Sequence, residues 1–291
     1  MNTRQLQIFK AVADYKSFAK ASVSLFIAQS AVSIAIRKLE ENLNLKLFNR
    51  NNKSVSLTAE GHVLLRHANK IIDQTNDARL ELAEMGKLEK GEVKLGIPAM
   101  LASHYFPKYL AKFNRLYPDL KVSIIDKGTK RIQYLLEQGE IDMGIVNMEE
   151  TSTLLEEVQI FAEEMLICLP KSHSLAEKNS ISFEEFTKHR LILYKEGYFL
   201  REIINRLCEA QQIEPQIHME TNLVQLMKTM VESGVGISVC LRSAIETEKN
   251  LCGISFQPKI KMNFGIAWRA NSYLSKANKA FLDFLIVELT N

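Results

Sequence analysis

At 291 residues the chain is long enough for two or three units with sizeable cores, and 46% hydrophobic with 24% charged residues is the composition of an ordinary globular protein. No run of eighteen apolar residues occurs and the first residues carry no apolar leader, which argues against a membrane span or secretion and for a cytoplasmic protein. Four widely spaced cysteines (Cys168, Cys208, Cys240, Cys252) without a C-x-x-C, and six histidines without close pairing, argue against a disulfide scaffold, a metal site or a bound cofactor.

The formal charge of +3 is unevenly placed: residues 1–70 hold 11 Lys or Arg against 4 Asp or Glu, and the remainder 26 against 30. An amino-terminal excess of +7 is the footprint that phosphate neutralisation requires, although any single lysine taken alone is better read as part of a solvated face.

The spacing predicts an opening helix over 4–14, with Leu6, Phe9 and Val12 or Ala13 inward. Ser17 can accept the free N–H groups of a second helix beginning at Phe18, whose Phe18, Ala21 and Leu25 share a side. After a turn at Phe26-Ile27, Val32, Ile36, Leu39 and Leu43 recur at helical spacing and predict a third helix with that stripe buried. Its outward arc carries Gln29, Ser30, Ser33, Ile34 and Arg37, groups that reach base edges in a major groove. A lone amphipathic helix pair is more often plain core than a DNA reader. Here, however, Leu47-Phe48-Asn49-Arg50, a polar turn through Lys53, and the strand-like Val55-Ser56-Leu57 follow, as a wing would.

Thr58 caps a long helix predicted over 59–88. Leu64, Ala68, Ile71, Thr75, Ala78, Leu82 and Met85 are spaced alternately by four and three, a heptad seam. The stripe is buried most simply against the same helix of a second chain, giving a symmetric dimer; the alternative is packing on its own chain. A polar hinge at 86–91 marks the domain boundary. Beyond it, strand-like 93–97, 120–125 and 141–146 alternate with helix-like 105–116 and 129–138, predicting a parallel α/β sheet. A second alternating unit over 165–239 follows, and the tail (strand 263–268, helix 276–289) returns to the first, so two crossings join two lobes. The expected domains are therefore 1–58, 59–88 and 89–291, with lobe 1 at about 92–161 and 266–291 and lobe 2 at about 162–265.

Ser17-Phe18-x-x-Ala21, Gln29-Ser30-Ala31-Val32-Ser33, Ile36-Arg37-Lys38-Leu39-Glu40, Leu47-Phe48-x-Arg50 and Leu57-Thr58-x-x-Gly61 together resemble the winged helix-turn-helix of LysR-type transcriptional regulators. Val93-x-Leu95-Gly96-Ile97, Phe106-Pro107-x-x-Leu110, Leu136-x-x-Gly139-x-Ile141-Asp142-x-Gly144-Ile145, Leu169-Pro170-x-x-His173 and Val231-x-x-Gly234-x-Gly236-Ile237 resemble the effector domain of the same family, itself similar to two-lobed type 2 periplasmic binding proteins. The resemblance covers nearly the whole chain. It implies promoter DNA as partner, contacted by Ser17, Gln29, Ser30, Ser33, Ile34, Arg37, Lys38, Arg50 and Lys53; a homodimer that pairs into a homotetramer; and RNA polymerase as a candidate contact. Two positions depart from the family pattern. Ala28 replaces a capping hydroxyl, leaving Ser30 or a backbone carbonyl to cap the helix, and Ile34-Ala35 replaces arginine-glutamine. Ile34 either packs on a thymine methyl or turns into the core.

Ligands of open α/β sheets sit beyond the carboxyl ends of the strands. Here that places Pro98, Ala99, Met100, Leu101, Ala102 and Ser103 after the first strand, Gly128 and Thr129 after the second and Asn147 after the third, with Tyr198, Thr221 and Asn222 closing from the other lobe. Ser103 and Thr129 would each open a helix whose N–H groups favour a carboxylate, or serve only as helix caps. Members of the family with a Gly96-Ile97-Pro98-type loop include responders to small carboxylates such as acetate or pyruvate, so a small-molecule effector of that kind is implied. The apolar rim of Met100 and Leu101 points to a small or partly apolar acid.

Residues 196–208 resemble the redox segment of the peroxide-sensing member of the family, whose reactive cysteine falls at Phe199; Cys208 is then a buried apolar filler. A stand-alone solute-binding protein fits only the back half of the chain. An enzyme lacks its nucleophile, base and orienter: Ser103-His104 has no G-x-S-x-G elbow, and Gly234-Val235-Gly236 lacks the third glycine of a dinucleotide loop.

Overall fold

The computed structural model describes residues 1–51, 54–83 and 91–290, which fall into two units, Met1–Gly86 and Lys87–Asn291. Lys53, Met85 and most of the hinge expected at 86–91 lie outside the described residues, as does the side chain of Arg50. Among the described residues no single helix is long and apolar enough to cross a membrane.

In the amino-terminal unit, α1 (Thr3–Tyr15) begins with a reciprocal cap: the Asn2 side chain accepts the Gln5 N–H, and the Gln5 side chain accepts the Asn2 N–H. Ser17 caps α2 (Phe18–Ser24) by accepting the Lys20 N–H at 3.3 Å. The third helix, α3 (Gln29–Leu43), has no side-chain cap. The Ala28 carbonyl instead accepts from Ala31 at 3.0 Å and Val32 at 3.2 Å, and α3 leaves α2 at 110°. Leu6, Phe9, Val12, Ala21, Val32, Ile36 and Leu39 form the core where these helices meet. Each large apolar side chain fully buried there contributes about 1.5–3 kcal/mol.

Two short strands, β1 (Phe48–Asn51) and β2 (Ser54–Leu57), pair antiparallel with Phe48 opposite Leu57 and make the wing. Its attachment rests on Glu40, a carboxylate only 4% exposed that accepts the Leu47 N–H at 2.8 Å and the Phe48 N–H at 3.3 Å. Thr58 donates to the Lys46 carbonyl at 2.7 Å and accepts the Gly61 N–H at 2.9 Å, opening α4 (Ala59–Ala83) against the same segment. Gly61 is required at that contact, since a Cβ there would sit 2.2 Å from the Leu47 carbonyl oxygen.

The carboxyl-terminal unit starts as the sequence predicts. β3 (Gly91–Gly96) pairs in parallel with β4 (Leu120–Ile125) and β5 (Met143–Asn147), with α5 (Ala99–His104), α6 (Pro107–Leu116) and α7 (Thr129–Glu137) between them. The α5 helix replaces the loop expected at 98–103, because Pro98 stands at its N-cap and the backbone turns helical from Ala99. The chain then enters β6 (Leu155–Pro170), beginning ten residues before the strand expected at Met165. Lobe 2 holds β7 (Ser180–Ser182), α8 (Phe183–Thr187), β8 (Leu191–Leu193), α9 (Phe199–Gln211), β9 (Ile217–Glu220), α10 (Val224–Glu232) and β10 (Ser238–Leu241). The chain returns through β11 (Leu251–Arg269) to α11 (Lys276–Thr290), which packs on α6 and β3, with Phe113 and Phe281 edge-on at 4.8 Å.

The parallel sheet expected of the first unit is present in β3, β4 and β5, but the strands of the two lobes join into one mixed sheet. Among the described residues, parallel pairing joins β3/β4/β5, β8/β9 and β7 on β11, with an isolated parallel bridge between Leu191 and Ile237. The long β6 and β11 run antiparallel and continue through both lobes, joining the strands in the order β10-β6-β11-β5-β3-β4. One apolar cluster accordingly extends across both lobes, from Val93 and Leu95 to Ile167, Leu193 and Val239.

Replacing Glu40 by alanine strands buried N–H donors between α3 and the wing. We expect the Glu40→Ala variant to lose about 1–3 kcal/mol in denaturant unfolding; unchanged stability would remove Glu40 from this role.

Candidate nucleic-acid interface and ligand cleft

The side of α3 opposite Val32, Ile36 and Leu39 presents Ser30, Ile34 and Arg37 within an arc of about 60° at 100° per residue. Gln29, Ser30, Arg37 and Lys38 are exposed and Ser33 is half-buried. Ile34 is 45% exposed, which overturns the alternative that it turns into the core. Arg37 reaches Glu41 at 3.7 Å, but both side chains are about 65% exposed, so the pair holds the guanidinium only weakly. Ser17 is committed to the α2 cap and half-buried. Arg50 belongs to β1 of the wing.

The heptad seam on α4 divides in two. Ala68 is fully buried and Leu64 half-buried against the helical core of their own unit, with Ile72 beside them, so Ala68 is not available to a second chain. Heptad spacing alone cannot distinguish a stripe facing its own α1 from one facing a partner. Further along, Ile71, Ala78 and Leu82 are exposed, as is Val63 about two turns before Ile71. Thr75 is half-buried, its hydroxyl donating to the Ile71 carbonyl at 2.8 Å.

In the carboxyl-terminal unit a narrow cavity opens between the lobes, lined by Pro98, Ala99 and Met100 from the first and Tyr194, Tyr198, Phe199, Leu200, Asn222 and Val224 from the second. Its volume of about 10 Å³ is close to the least that admits one water molecule. The structure thus brings five of the sequence-chosen residues to one place: Pro98, Ala99, Met100, Tyr198 and Asn222. The others lie elsewhere. Leu101 is fully buried and Ala102 packs on the same core. Ser103 does not open a helix; it is an exposed residue in the last turn of α5.

Asn147 and Thr221 are buried and turned to their own backbones, accepting from the Glu149 and Leu223 N–H groups. Thr129 is buried as the first residue of α7. Gly128 lies against the facing lobe, where a Cβ would come within 2.3 Å of the Gly197 carbonyl oxygen. Phe199 was singled out only as the position of the family's reactive cysteine, and Leu200 and Val224 not at all, because the apolar pattern assigns residues in the first turn of a helix to core.

Ion pairs hold the lobes together beside this cavity: Lys130 of α7 with Glu202 of α9, and Arg206 of α9 with Glu149 at 3.4 Å. Burial pushes the Glu202 carboxyl up, but hydrogen bonds from Lys130 and the Gly197 N–H outweigh it and leave the group below its usual range. Behind the cavity, α5 and α10 are tied by a cluster missed in the sequence. Lys228, only 2% exposed, lies 2.7 Å from His104 Nε2 and 2.7 Å from Glu248, while His104 Nδ1 is 3.2 Å from the Met100 carbonyl. Burial, then the Lys228 ammonium, pushes the His104 pKa down, so the neutral ring accepts from Lys228 and donates to Met100. Burial also raises the Cys208 thiol, which fits an apolar filler.

The family described as "Bacterial regulatory helix-turn-helix protein, lysR family" matches residues 3–62, and "LysR substrate binding domain" matches residues 86–289. A protein of Porphyra purpurea named "Probable RuBisCO transcriptional regulator" is 30% identical over 95% of this chain and 90% of its own. The uncharacterised HTH-type transcriptional regulator YwbI of Bacillus subtilis is 30% identical over 97% of this chain and 95% of its own. Among solved structures, a cysteine-to-aspartate variant of full-length OxyR from Pseudomonas aeruginosa superposes with a TM-score of 0.73 at 25% identity, over 98% of this chain and 94% of that one.

Because the folded chain resists protonation of His104 more than the unfolded chain does, stability falls as pH drops below about 6.5, the ordinary histidine value. Thermal midpoints measured from pH 7.5 to 5 should fall less steeply for His104→Gln than for the parent chain; parallel slopes would assign the loss to other groups.

Proposed function

Since the chain belongs to the LysR family of DNA-binding, effector-controlled transcriptional regulators, we propose that it reads its operator with the outward arc of α3 and is controlled by a small carboxylate held between the lobes of its carboxyl-terminal unit. The observation that carries the first half is the arrangement of Ser30, Ile34 and Arg37, left in solvent on the face opposite a saturated core stripe. In a major groove, Gln29, Ser30, Ser33 and Arg37 reach base edges and Ile34 packs on a thymine methyl. Ser17, Lys38, Arg50 and Lys53 serve the phosphates, and the +7 charge of residues 1–70 makes the complex salt-sensitive. Two copies join along the exposed stretch of α4 through Ile71, Thr75, Ala78 and Leu82, with dimers pairing into tetramers and RNA polymerase as the downstream contact. The protein works in the cytoplasm and as a regulator, with no catalytic step of its own.

A binding site selected from random duplexes tests the reading directly. The parent chain should bind it with affinity that falls by about 10³ or more between 50 and 200 mM salt if six or more phosphates are contacted. Arg37→Ala should lose about 1–3 kcal/mol, and Ile34→Ala should relax preference at a thymine. Failure to retain any duplex would end the proposal, and unchanged selection by Ile34→Ala would remove that residue from base readout. For assembly, Ile71→Lys with Leu82→Lys should sediment as single chains at submicromolar concentration; an intact dimer would move the interface off α4.

A further inference from the structure

Two cysteines far apart in the sequence meet inside lobe 2. β10 pairs antiparallel with β6, Ser238 opposite Cys168 and Cys240 opposite Leu166, so Cys168 and Cys240 are diagonal neighbours on one face of the sheet. Both are 0% exposed, and their thiols are hydrogen-bonded to each other. Diagonal neighbours have Cα atoms roughly 7–8 Å apart, wider than the roughly 4.4–6.8 Å that a disulfide spans. The pair is therefore badly placed for an S–S bond. A cation between the sulfurs fits better, since two metal–sulfur bonds of roughly 2.3 Å, the length that zinc makes with thiolate, hold collinear sulfurs roughly 4.6 Å apart.

The surroundings suit an anionic centre better than plain core. Tyr194, 3% exposed, lies close enough to Cys240 and Cys168 for their charges to act on it, and its hydroxyl is buried with no hydrogen-bond partner among the described residues. A buried O–H without an acceptor is costly, and a thiolate beside it supplies the acceptor. The mutual hydrogen bond, then burial, pushes the Cys240 thiol well above its usual range, so with nothing bound the pair stays protonated. Against this the Lys228 ammonium, 2% exposed, favours the charged form of Cys240, with a smaller opposing effect from Glu163. Met100 Sδ accepts the Leu241 N–H at 3.3 Å, beside Cys240 in the chain. Met100 and Tyr194 both line the cavity between the lobes, so the approach to the two thiols from that side passes a thioether. Among the described residues no group of three or more His, Cys, Asp or Glu side chains could hold a metal ion, which leaves zinc short of its four ligands.

We propose that Cys168 and Cys240 form a two-coordinate site for a soft monovalent cation of the Cu(I) class. As the cation enters, each thiol gives up its proton and each sulfur forms one bond to the metal; two protons leave, the metal keeps its oxidation state, and no oxidant or reductant takes part. The S–Cu–S unit carries one negative charge, to which the Tyr194 O–H donates and which Lys228 offsets. Thiolate and thioether sulfur are the ligands that select Cu(I), whereas ions that favour nitrogen or oxygen find neither at the pair. This site is distinct from the effector cleft and stands or falls without it.

The test titrates the full chain, reduced and under anaerobic conditions, against Cu(I) held by the chelator bicinchoninate, with Zn(II) as the comparison. The parent chain should withdraw one equivalent of Cu(I), gain in thermal midpoint as it does so, and bind Zn(II) at least a hundredfold more weakly. Cys168→Ala and Cys240→Ala should each lose that equivalent, whereas Cys208→Ala and Cys252→Ala should keep it. Tyr194→Phe retains both thiols and guards against loss of fold in the alanine variants: its metal-free thermal midpoint should be unchanged or higher, since it deletes an unmatched hydroxyl, while its Cu(I) affinity should fall at least tenfold. A parent chain that withdraws no Cu(I) overturns the proposal. So do an equivalent still held by Cys168→Ala or Cys240→Ala, one lost in Cys208→Ala or Cys252→Ala, undiminished affinity in Tyr194→Phe, or Zn(II) held as tightly as Cu(I).

Discussion

Two strands, β6 and β11, pair antiparallel from Leu155 opposite Arg269 to Pro170 opposite Leu251, and on this pairing the rest of the carboxyl-terminal unit depends. The ladder is irregular between Ser255 and Ile260, and again between Phe264 and Gly265. Because β11 also pairs with β5 in one lobe and β6 with β10 in the other, each lobe is anchored to the same two strands. The lobes can therefore change their spacing only by bending that pair, which confines their relative motion to few degrees of freedom. Between them lie two ion pairs, the Gly128–Gly197 approach, the buried Lys228 cluster and the apolar cluster that both lobes share.

The amino-terminal unit obeys a different constraint, the saturation of one face. Val32, Ile36 and Leu39 consume the inner side of α3, and Glu40 locks its end to the wing. What remains outward is a short arc of small, apolar and basic groups whose positions are fixed by packing that they do not themselves provide. Rigid presentation of this kind lets a few side chains discriminate between bases. Ile34, exposed in the middle of the arc, offers no hydrogen bond, so under the proposed reading its contact with a base is steric and apolar.

Much of this was legible before any coordinates, for identifiable reasons. The helix-turn-helix announces itself because helical periodicity, the Ser17 cap and the wing's alternation agree with one another. The length of β6 was hidden because Glu156, Glu157, Glu163 and Glu164 break its apolar pattern. The structure explains three of them through partners far along the chain: Trp268 donates to Glu156, the Ser243 N–H donates to Glu163, and Arg242 pairs with Glu164 at 2.5 Å. Glu40, His104 and Lys228 were missed for the same reason, since a buried polar residue declares itself only with its partner. Ser103 was misplaced because α5 takes up the chain four residues before it, right after Pro98. Ala68 marks the other limit, for a heptad does not say which chain it faces.

The central claim is that occupancy between the lobes changes how the protein sits on DNA, which requires the ligand to prefer one lobe arrangement over another. The most direct measurement is a DNase footprint of the full chain on its selected operator, with and without a saturating monocarboxylate shown to bind. A footprint that shortens or shifts on addition of ligand is the result the account predicts. Identical protection in both conditions would contradict it.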